Sequence, residues 1–400
     1  MGYRTYTCPT ARSCGGCEWL QVPYPIQLKR KQAGLDELYA PFLEATPGLA
    51  FSPILGMDEP IHYRHKAATP FAPAPHGRIR SGFYAKGTHR IMSCSECLVE
   101  DPRCRPILTS VARTAEHMRI AAYNEDRGSG ILRHAVVRCA WKGDEVLLTL
   151  VANGEQLPHE RAFIERLIDF TPDVTTVALN INMKKTNAIL GPRTRTLFGS
   201  GTIHDELLGC RFRIGPASFY QTNPEQTEKL YQIAIDAALE DAPEGSSMKV
   251  LDAYCGLGTI GICLAHAAQG KGVAAEVTGV EKGAEAIRLA KLNASDNHLE
   301  EACRFVCDDA TSYISALARQ GHQFDIVVMD PPRAGSTPEF LASVLAFKPR
   351  KVVYISCNPK TQVRDLETLL KGGYRVASLH AVDMFPHTKH VETVAVLMRA

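Results

Sequence analysis

The sequence lacks any uninterrupted run of about 18 apolar residues, the approximate length of a membrane-spanning helix. Its opening residues, MGYRTYTCPTARSC, also lack the apolar core of a secretory signal peptide. These two absences predict a cytoplasmic protein without a membrane partner. Internal repeats and low-complexity tracts are missing as well, so a chain of 400 residues is expected to form two or three ordinary domains.

A strong overall charge is also absent, because 45 Lys and Arg face 43 Asp and Glu. The charge is unevenly distributed. Residues 1–220 hold 27 basic against 21 acidic side chains, a net of +6, and residues 221–400 hold 18 against 22, a net of −4. Basic residues in the first half bunch in a way that suits phosphate contacts, although a solvated surface explains any single bunch as well. The bunches are Lys29-Arg30-Lys31, Arg64-His65-Lys66, Arg78 with Arg80, Lys184-Lys185, and Arg193 with Arg195.

Cysteine, by contrast, is abundant, at 13 residues. A reducing compartment argues against a disulfide framework, so clustered cysteines indicate zinc or an iron–sulfur cluster. The clustered ones are Cys8-x5-Cys14-x2-Cys17 and, much later, Cys94, Cys97 and Cys104. Cys94-x2-Cys97 supplies a second CxxC pair, so zinc stays an alternative to an iron–sulfur cluster. The first group has the spacing Cx5Cx2C, which differs from the Cx3Cx2C of radical S-adenosylmethionine enzymes.

The pattern of the chain changes near residue 216. Residues 1–60 hold the first cysteines and a helical segment, and residues 61–215 show short strands with Gly and Pro turns, which predicts a smaller α+β domain. Across residues 216–400 apolar strands alternate with helical segments, the pattern of a mostly parallel, doubly wound α/β sheet. Ligands bind such sheets at the carboxyl ends of the strands.

Four motifs fall at these expected strand ends. The stretch LDAYCGLGTIG, residues 251–261, is a strand running into a glycine turn, and glycines let a backbone approach a ligand closely. Glu281 ends the next strand and is suited to ribose hydroxyls, Asp308-Asp309 suits an adenine edge, and Asp330-Pro331-Pro332-Arg333 predicts a rigid loop. This order resembles that of S-adenosylmethionine-dependent methyltransferases. A nicotinamide enzyme would share the glycine turn and the acid but has no use for the DPP loop.

The residue after the prolines bears on the type of methylation. Methylases acting on exocyclic amines often carry an aromatic residue there to stack on the base, whereas this sequence has Arg333. Ring-carbon methylation stays open. Carbon 5 of uracil is a poor nucleophile, so a thiolate must first add to carbon 6, and a base must later remove the proton on carbon 5.

Two residues meet these needs. Cys357 follows the apolar run KVVYIS, and Asn358-Pro359 precede a new helix whose N-terminal dipole favours a thiolate. Glu392 opens the last apolar run and is the only acid entering that strand. The less specific interpretation is that Cys357 is a small buried residue and Glu392 a surface carboxylate.

The motifs together resemble one family. DAYCGLGTIG, DPPRAG, YISCNPKT and MFPHTKHVETV are similar to the signature motifs of the bacterial RNA uracil-C5 methyltransferases, and PASFYQTN at 216–223 is similar to their F-Q-x-N segment. The resemblance covers about residues 1–100 and 216–400. It implies a Rossmann-like S-adenosylmethionine methyltransferase domain at 216–400, a central α+β RNA-binding domain at 61–215 and an N-terminal iron–sulfur segment at 1–60.

The resemblance also implies residue roles, with Cys357 as nucleophile and Glu392 as base. The positions implied to bind S-adenosylmethionine are Gln221, Tyr254, Glu281 and Asp330, with Asp309 near the adenine and Thr259 as a weaker match, since several members carry Asn there. Members often hold a [4Fe-4S] cluster, for which the implied ligands are Cys8, Cys14, Cys17 and Cys97, with Cys94 as the rival fourth ligand.

The substrate expectation rests on accessibility and on the same resemblance. Uracil in a duplex hides carbon 6, so the target uridine must be single-stranded or flipped out. Because the cysteines begin at residue 8, we expect the OB-like domain of larger members to be absent, as in the shorter ribosomal RNA enzymes. The resemblance thus implies a monomeric 23S rRNA uracil-C5 methyltransferase. The alternatives are the same chemistry on tRNA and a non-catalytic iron–sulfur RNA-binding protein.

Overall fold

The computed structural model describes residues 4–400, beginning with the short helix α1 (Ala11–Cys14) and the long helix α2 (Tyr24–Ala45). Pro25 lies in the first turn of α2, where a backbone N–H would have no acceptor within the helix, so its absence costs no hydrogen bond. The buried face of α2, including Leu35 and Tyr39, packs into the core of the C-terminal sheet. The chain after α2 then bridges to that sheet at Leu379 and Val382.

The central region is a seven-stranded mixed sheet with the order β3-β2-β1-β4-β5-β6-β7. Its strands are β1 (Lys66–Pro73), β2 (Ile79–Tyr84), β3 (Ile91–Ser93), β4 (Leu132–Cys139), β5 (Val146–Ala152), β6 (Thr176–Ile181) and β7 (Arg193–Phe198), with a 3₁₀ turn at Pro75–Gly77. All neighbours pair antiparallel except β5 and β6. Helices α3 (Cys104–His117) and α4 (Glu160–Phe170) supply Val111 and Phe163 to its apolar core, as expected for an α+β domain.

A hairpin and a helix connect this region to the C-terminal sheet. The hairpin is β8 (Ile203–Leu207) with β9 (Cys210–Ile214), and the helix is α5 (Pro224–Leu239). Asn223 caps α5 by accepting a hydrogen bond from the backbone N–H of Gln226 at 3.2 Å. The cap therefore fixes the end of the loop of residues 215–223, which joins β9 to α5.

The C-terminal sheet has the strand order β12-β11-β10-β13-β14-β16-β15. Its strands are β10 (Ser247–Ala253), β11 (Ala274–Glu281), β12 (Cys303–Cys307), β13 (Ile326–Met329), β14 (Lys351–Ser356), β15 (Tyr374–Val382) and β16 (Glu392–Arg399). Its helices are α6 (Thr259–Gly270), α7 (Ala284–Asp296), α8 (Ala310–Arg319), α9 (Pro338–Phe347) and α10 (Pro359–Lys371). The pairs among β10–β14 are parallel, and β13 and β14 are wholly buried because helices cover the sheet. The predicted doubly wound, mostly parallel sheet is confirmed.

The last two strands differ from the rest, because β16 pairs antiparallel with both β14 and β15. The start of β16 therefore lies beside the end of β14, at the edge of the sheet where parallel strands present their carboxyl ends. Among the helices of residues 4–400, none has the length and apolarity needed to span a bilayer.

Candidate active site

The turn between β10 and α6 brings an accessible backbone to the carboxyl end of the sheet. Tyr254, Gly256 and Gly258 all have positive φ values, of 65°, 54° and 75°, a conformation that is uncommon for a non-glycine residue such as Tyr254. Asp252 links the end of β10 to the first turn of α6, because its carboxylate accepts a hydrogen bond from the N–H of Gly261 at 2.9 Å. No described atom lies within 4 Å of the position a Cβ on Gly256 would take, so a ligand can approach this backbone.

The other residues predicted to contact the cofactor lie along the same edge. Glu281 ends β11, and its Oε1 accepts from the N–H of Gly283 at 2.8 Å. Asp309 is exposed and caps α8 by accepting from the N–H of Ser312 at 3.1 Å. Two carboxylates thus lie at the ends of neighbouring strands beside an open glycine turn, at the edge where such sheets bind ligands.

Three further predicted positions have distinct surroundings. The ring of Tyr254 stacks on Phe340, with 5.2 Å between centroids. The hydroxyl of Thr259 lies 3.2 Å from the Tyr231 hydroxyl, so a protein partner already occupies it. Gln221 is half-buried in the loop 215–223. Thr259 is therefore the position least suited to bind a ligand through its side chain.

The antiparallel register of β14 and β16 brings Cys357 and Glu392 together. Ser356, the last residue of β14, pairs with Thr393, and the next residues in this register are Cys357 and Glu392. Opposite residues of an antiparallel pair are roughly 5 Å apart at Cα and project from the same face. A thiol and a carboxyl thus meet at the carboxyl end of the sheet, next to the loop that follows β13.

Burial controls the protonation of this pair. Burial and then the nearby Asp330 raise the pKa of Glu392 well above its usual value, and Arg333 opposes this rise. Burial raises the pKa of Cys357 to about 11, with Glu392 and Asp330 adding to the shift and Arg333 opposing it. Burial alone raises the pKa of Asp330 to about 7. A cation entering this site would lower all three pKa values, because it favours the charged form of each acid.

Hydrogen bonds fix the two loops that surround the pair. The side-chain amide of Asn358 donates to the carbonyl of Arg333 at 2.9 Å, and its backbone N–H donates to the hydroxyl of Ser356 at 3.1 Å. The hydroxyl of Thr393 donates to the side chain of Gln362 at 2.8 Å, and Gln362 donates to the carbonyl of Tyr354 at 2.7 Å. The DPPR loop, the SCNP turn and the start of β16 therefore form one connected unit.

Sequence reasoning missed three residues around this site. Arg333 was used only to argue against amine methylation, yet it is the cation that opposes the rise in pKa of both Cys357 and Glu392. Arg138 of β4 is buried and donates to the carbonyls of Ser218 and Tyr220, at 3.0 and 3.2 Å, so the central sheet fixes the Gln221 loop. No local pattern shows this contact. Phe219 is 70% exposed, two residues before Gln221. The signal that could have revealed it is an aromatic residue within the loop of residues 215–223.

The predicted cluster cysteines lie around one cavity of 340 Å³ between the N-terminal segment and the central sheet. Its thiol-bearing lining residues are Cys8, Cys14, Cys17, Cys94 and Cys97. Burial, followed by the proximity of Cys97, Cys14 and Cys8, raises the pKa of Cys17 to about 12. Within residues 4–400, however, no group of three or more His, Cys, Asp or Glu side chains is arranged to hold a metal ion. The thiols are gathered without forming a closed coordination site.

The two candidates for the fourth ligand differ in their surroundings. Cys97 packs with Cys17 against the same small apolar cluster, which includes Tyr63 and Val99. Cys94 instead donates from its thiol to the carbonyl of Glu96 at 2.9 Å. Cys104 is fully buried in the core of the central domain, away from this group. The donor set of soft thiols around a small cavity suits zinc or an iron–sulfur cluster.

Comparisons with known proteins identify relatives over nearly the whole chain. A family profile described as tRNA (Uracil-5-)-methyltransferase matches residues 203–400. An uncharacterized RNA methyltransferase of Halalkalibacterium halodurans is 39% identical over 390 residues, covering 98% of this chain and 82% of the relative. A second, from Staphylococcus aureus, is 37% identical over 391 residues, covering 97% of this chain and 83% of the relative.

A solved structure extends the likeness to three dimensions. It is the Pyrococcus abyssi tRNA (uracil-54, C5)-methyltransferase in complex with S-adenosyl-L-homocysteine, with a TM-score of 0.76 and 27% identity over 96% of this chain and 86% of that chain. The predicted S-adenosylmethionine methyltransferase fold is thereby confirmed. Taken with the profile and the relatives, it shows that this chain belongs to the RNA uracil-C5 methyltransferase family.

Proposed function

We propose that this enzyme methylates carbon 5 of a specific uridine in RNA through a covalent bond between Cys357 and carbon 6 of the uracil. The observation that carries the proposal is the register of β14 and β16, in which Cys357 and Glu392 are the next opposite residues after Ser356 and Thr393. One nucleophile and one separate base are what this chemistry needs, and both stand at the ligand-binding edge of the sheet.

The steps balance with these two side chains. The Cys357 thiolate attacks carbon 6, and the electron pair of the 5,6 double bond moves to an enolate that makes carbon 5 nucleophilic. Bound S-adenosylmethionine supplies an electrophilic methyl group on a cationic sulfur. When carbon 5 takes the methyl group, the bond between the methyl carbon and the sulfur breaks, its electron pair stays on the sulfur, and S-adenosyl-L-homocysteine is left. Glu392 then removes the proton that remains on carbon 5. The double bond re-forms, and the bond between carbon 6 and the Cys357 sulfur breaks.

The altered pKa values suit this order of events. A carboxylate whose pKa is raised by burial is a stronger base than a solvated one, which favours proton removal by Glu392. The positive sulfur of the methyl donor lies beside Cys357 in this proposal, and a nearby positive charge lowers the pKa of a thiol. Arg333 acts on Cys357 in the same direction. The thiolate therefore forms most readily when the cofactor is present.

The cofactor contacts follow the carboxylates at the sheet edge. In this proposal Glu281 accepts hydrogen bonds from the ribose, Asp309 lies near the adenine, and Asp330 and Gln221 face the amino-acid end. The turn at Tyr254 supplies backbone contacts. The hydroxyl of Thr259 lies within hydrogen-bonding distance of Tyr231. In this proposal Thr259 therefore contributes through its backbone at the start of α6 and not through its side chain.

The N-terminal cysteines are proposed to hold a [4Fe-4S] cluster through Cys8, Cys14, Cys17 and Cys97. All five thiols line the common cavity, and the packing of Cys17 and Cys97 against one apolar cluster supports this set over one containing Cys94. Zinc is the competing occupant, since the donor set is the same. Iron and acid-labile sulfide analysis of anaerobically purified protein, with zinc measured in parallel, distinguishes the two.

We propose 23S rRNA as the substrate, because the family resemblance implies that the tRNA enzymes commonly lack a cysteine group such as the one at Cys8, Cys14 and Cys17. A second candidate is tRNA, because the solved relative is named a tRNA (uracil-54, C5)-methyltransferase. Mass mapping of both RNAs from a strain lacking the gene decides between them. Loss of one 5-methyluridine from 23S rRNA is expected, and loss from tRNA alone would replace this substrate with the second candidate.

The chemistry itself is tested with RNA that contains 5-fluorouridine. Fluorine cannot leave as a proton, so the covalent RNA–protein complex should accumulate and survive denaturing electrophoresis, and Cys357→Ala should abolish it. Absence of the complex with both 23S rRNA fragments and tRNA would contradict the proposal and favour a non-catalytic RNA-binding protein.

A further inference from the structure

The base loop, residues 383–391, joins β15 to β16 and leads directly into Glu392. A buried lysine from the N-terminal helix α2 holds both ends of this loop. The ammonium of Lys31 donates to the Asp383 carboxylate at 2.5 Å, to the carbonyl of His390 at 2.7 Å and to the carbonyl of Phe385 at 3.3 Å. An ammonium has three N–H donors, so each of them has an acceptor in the loop.

The partner of Lys31 is itself fully constrained. Asp383 is completely buried, and its second oxygen accepts from the Tyr24 hydroxyl at 2.8 Å. Its backbone N–H donates to the carbonyl of Leu55 at 2.8 Å, and its carbonyl accepts from the side-chain amide of Gln226 at 3.1 Å. Helices α2 and α5 therefore both fix the first residue of the base loop.

More contacts from the N-terminal segment reach the middle of the base loop. Gln27 exchanges two hydrogen bonds with His387, accepting from its backbone N–H at 2.9 Å and lying 3.1 Å from its ring Nδ1. The N–H of Trp19 donates to the carbonyl of His387 at 2.9 Å, and the Tyr63 hydroxyl donates to the carbonyl of Pro386 at 3.0 Å. Residues following the first cysteine group thus contact the loop that leads to Glu392.

Stability alone does not account for a buried ion pair here. Removing two charges from water is expensive, and apolar replacements of such pairs are often neutral or stabilising. A buried pair does impose one geometry, because neither group tolerates losing its partner. For the bunch Lys29-Arg30-Lys31 the sequence left phosphate contact and a solvated surface open, but Lys31 is 5% exposed and faces inward. Its charge acts within the protein.

We propose that Lys31 is a positioning residue for proton removal by Glu392. The inference rests on the proposed function, since it assumes that Glu392 is the base. By joining Asp383 to His390, Lys31 fixes the approach of the chain to Glu392, while the attack by Cys357 depends on β14 and α10. Loss of Lys31 should therefore slow the step after methyl transfer and leave the earlier steps intact. A misplacement of about 1 Å can cost on the order of 10²-fold in rate.

The test compares Lys31→Met with a matched control, Lys351→Met. Lys351 is also a buried lysine near a carboxylate, Asp241 at 3.3 Å, but it stands at the far end of β14 from Cys357. Each variant is mixed with ordinary uridine-containing RNA, and the covalent RNA–protein complex and the methyl-transfer turnover are both measured. Lys31→Met should accumulate complex and turn over at least tenfold more slowly, whereas Lys351→Met should accumulate none.

Two further variants keep the outcome interpretable. If Lys31→Met is too unstable to purify, the double variant Lys31→Met with Asp383→Asn removes both charges and should show the same accumulation. Normal complex formation with 5-fluorouridine RNA shows that folding and attack are intact. Glu392→Gln should accumulate complex on ordinary RNA. If it does and the Lys31 variants do not, the positioning role is wrong; if Glu392→Gln does not either, the proposed base itself is wrong.

Discussion

Cys357 and the group of N-terminal cysteines are held in opposite ways. Cys357 directly follows a buried strand, and the register with β16 places it across from Glu392. The N-terminal cysteines lie on irregular backbone around a cavity, where α1 has only four residues and Gly15 ends it with a φ of 67°. Strand register fixes the reactive thiol through backbone hydrogen bonds. No strand register fixes the N-terminal thiols in this way, and under the proposed function the bound metal would complete their arrangement, because a metal site rarely forms before its metal.

The largest expected effect comes from removing the register-fixed thiol. Cys357→Ala should reduce methyl transfer to RNA by at least about 10³-fold, since loss of a nucleophile removes the covalent step altogether. Cys307→Ala is the control, because that thiol is exposed and belongs to the last residue of β12, the edge strand of the sheet. Methyl transfer from radiolabelled cofactor measures both variants, and a Cys357→Ala enzyme that retains a tenth of the activity would contradict a covalent mechanism.

The second prediction concerns pH. Because the pKa of Cys357 is raised to about 11, the thiolate is scarce at neutral pH and its fraction rises with pH. Alkylation of Cys357 by iodoacetamide should therefore accelerate about tenfold per pH unit between pH 7 and 9. Mass spectrometry of the peptide that contains Cys357 measures the rate of alkylation. If the rate levelled off below pH 8 without cofactor, the pKa of the thiol would not be raised. Adding S-adenosylmethionine should accelerate alkylation at pH 7, provided that the cofactor leaves the thiol accessible.

A third prediction addresses the loosely held thiols. Cys17→Ser should lose most bound iron and lower turnover by about tenfold or less, because the active-site register does not pass through these residues. Cys94→Ser is the matched control and should keep its iron. Equal iron loss in both variants would mean that Cys94 is a ligand, and a larger loss of turnover than in Cys357→Ala would overturn the contrast between the two groups.

The smallest effect is expected at Arg333. Arg333→Met removes the cation that lowers the pKa of Cys357, so alkylation at pH 7 should slow by about threefold, a modest change because this side chain is exposed. The same labelling experiment measures it. Faster alkylation would show that Arg333 shields the thiol from the reagent instead of favouring the thiolate.

Local sequence predicted the doubly wound sheet because parallel strands covered by helices leave continuous apolar runs, as in IVVM and KVVYIS. The same reasoning placed Cys357 and Glu392 at strand ends. It could not show that Lys31 is buried, because three consecutive basic residues look alike until helix α2 packs and turns one of them inward. It also could not reveal Arg138 beneath the Gln221 loop, since that contact joins residues about 80 positions apart.

Residue patterns were enough to predict the alternation of strands and helices over residues 216–400, a glycine turn that leaves a backbone open, and a resemblance to the family. The tertiary structure was needed to place β16 antiparallel beside β14, so that residues 357 and 392 become neighbours. It also decided that helix α2 reaches across to hold residues 383–391. Both outcomes join parts of the chain that are far apart in sequence, and such pairings depend on packing and register, which no local pattern of residues contains.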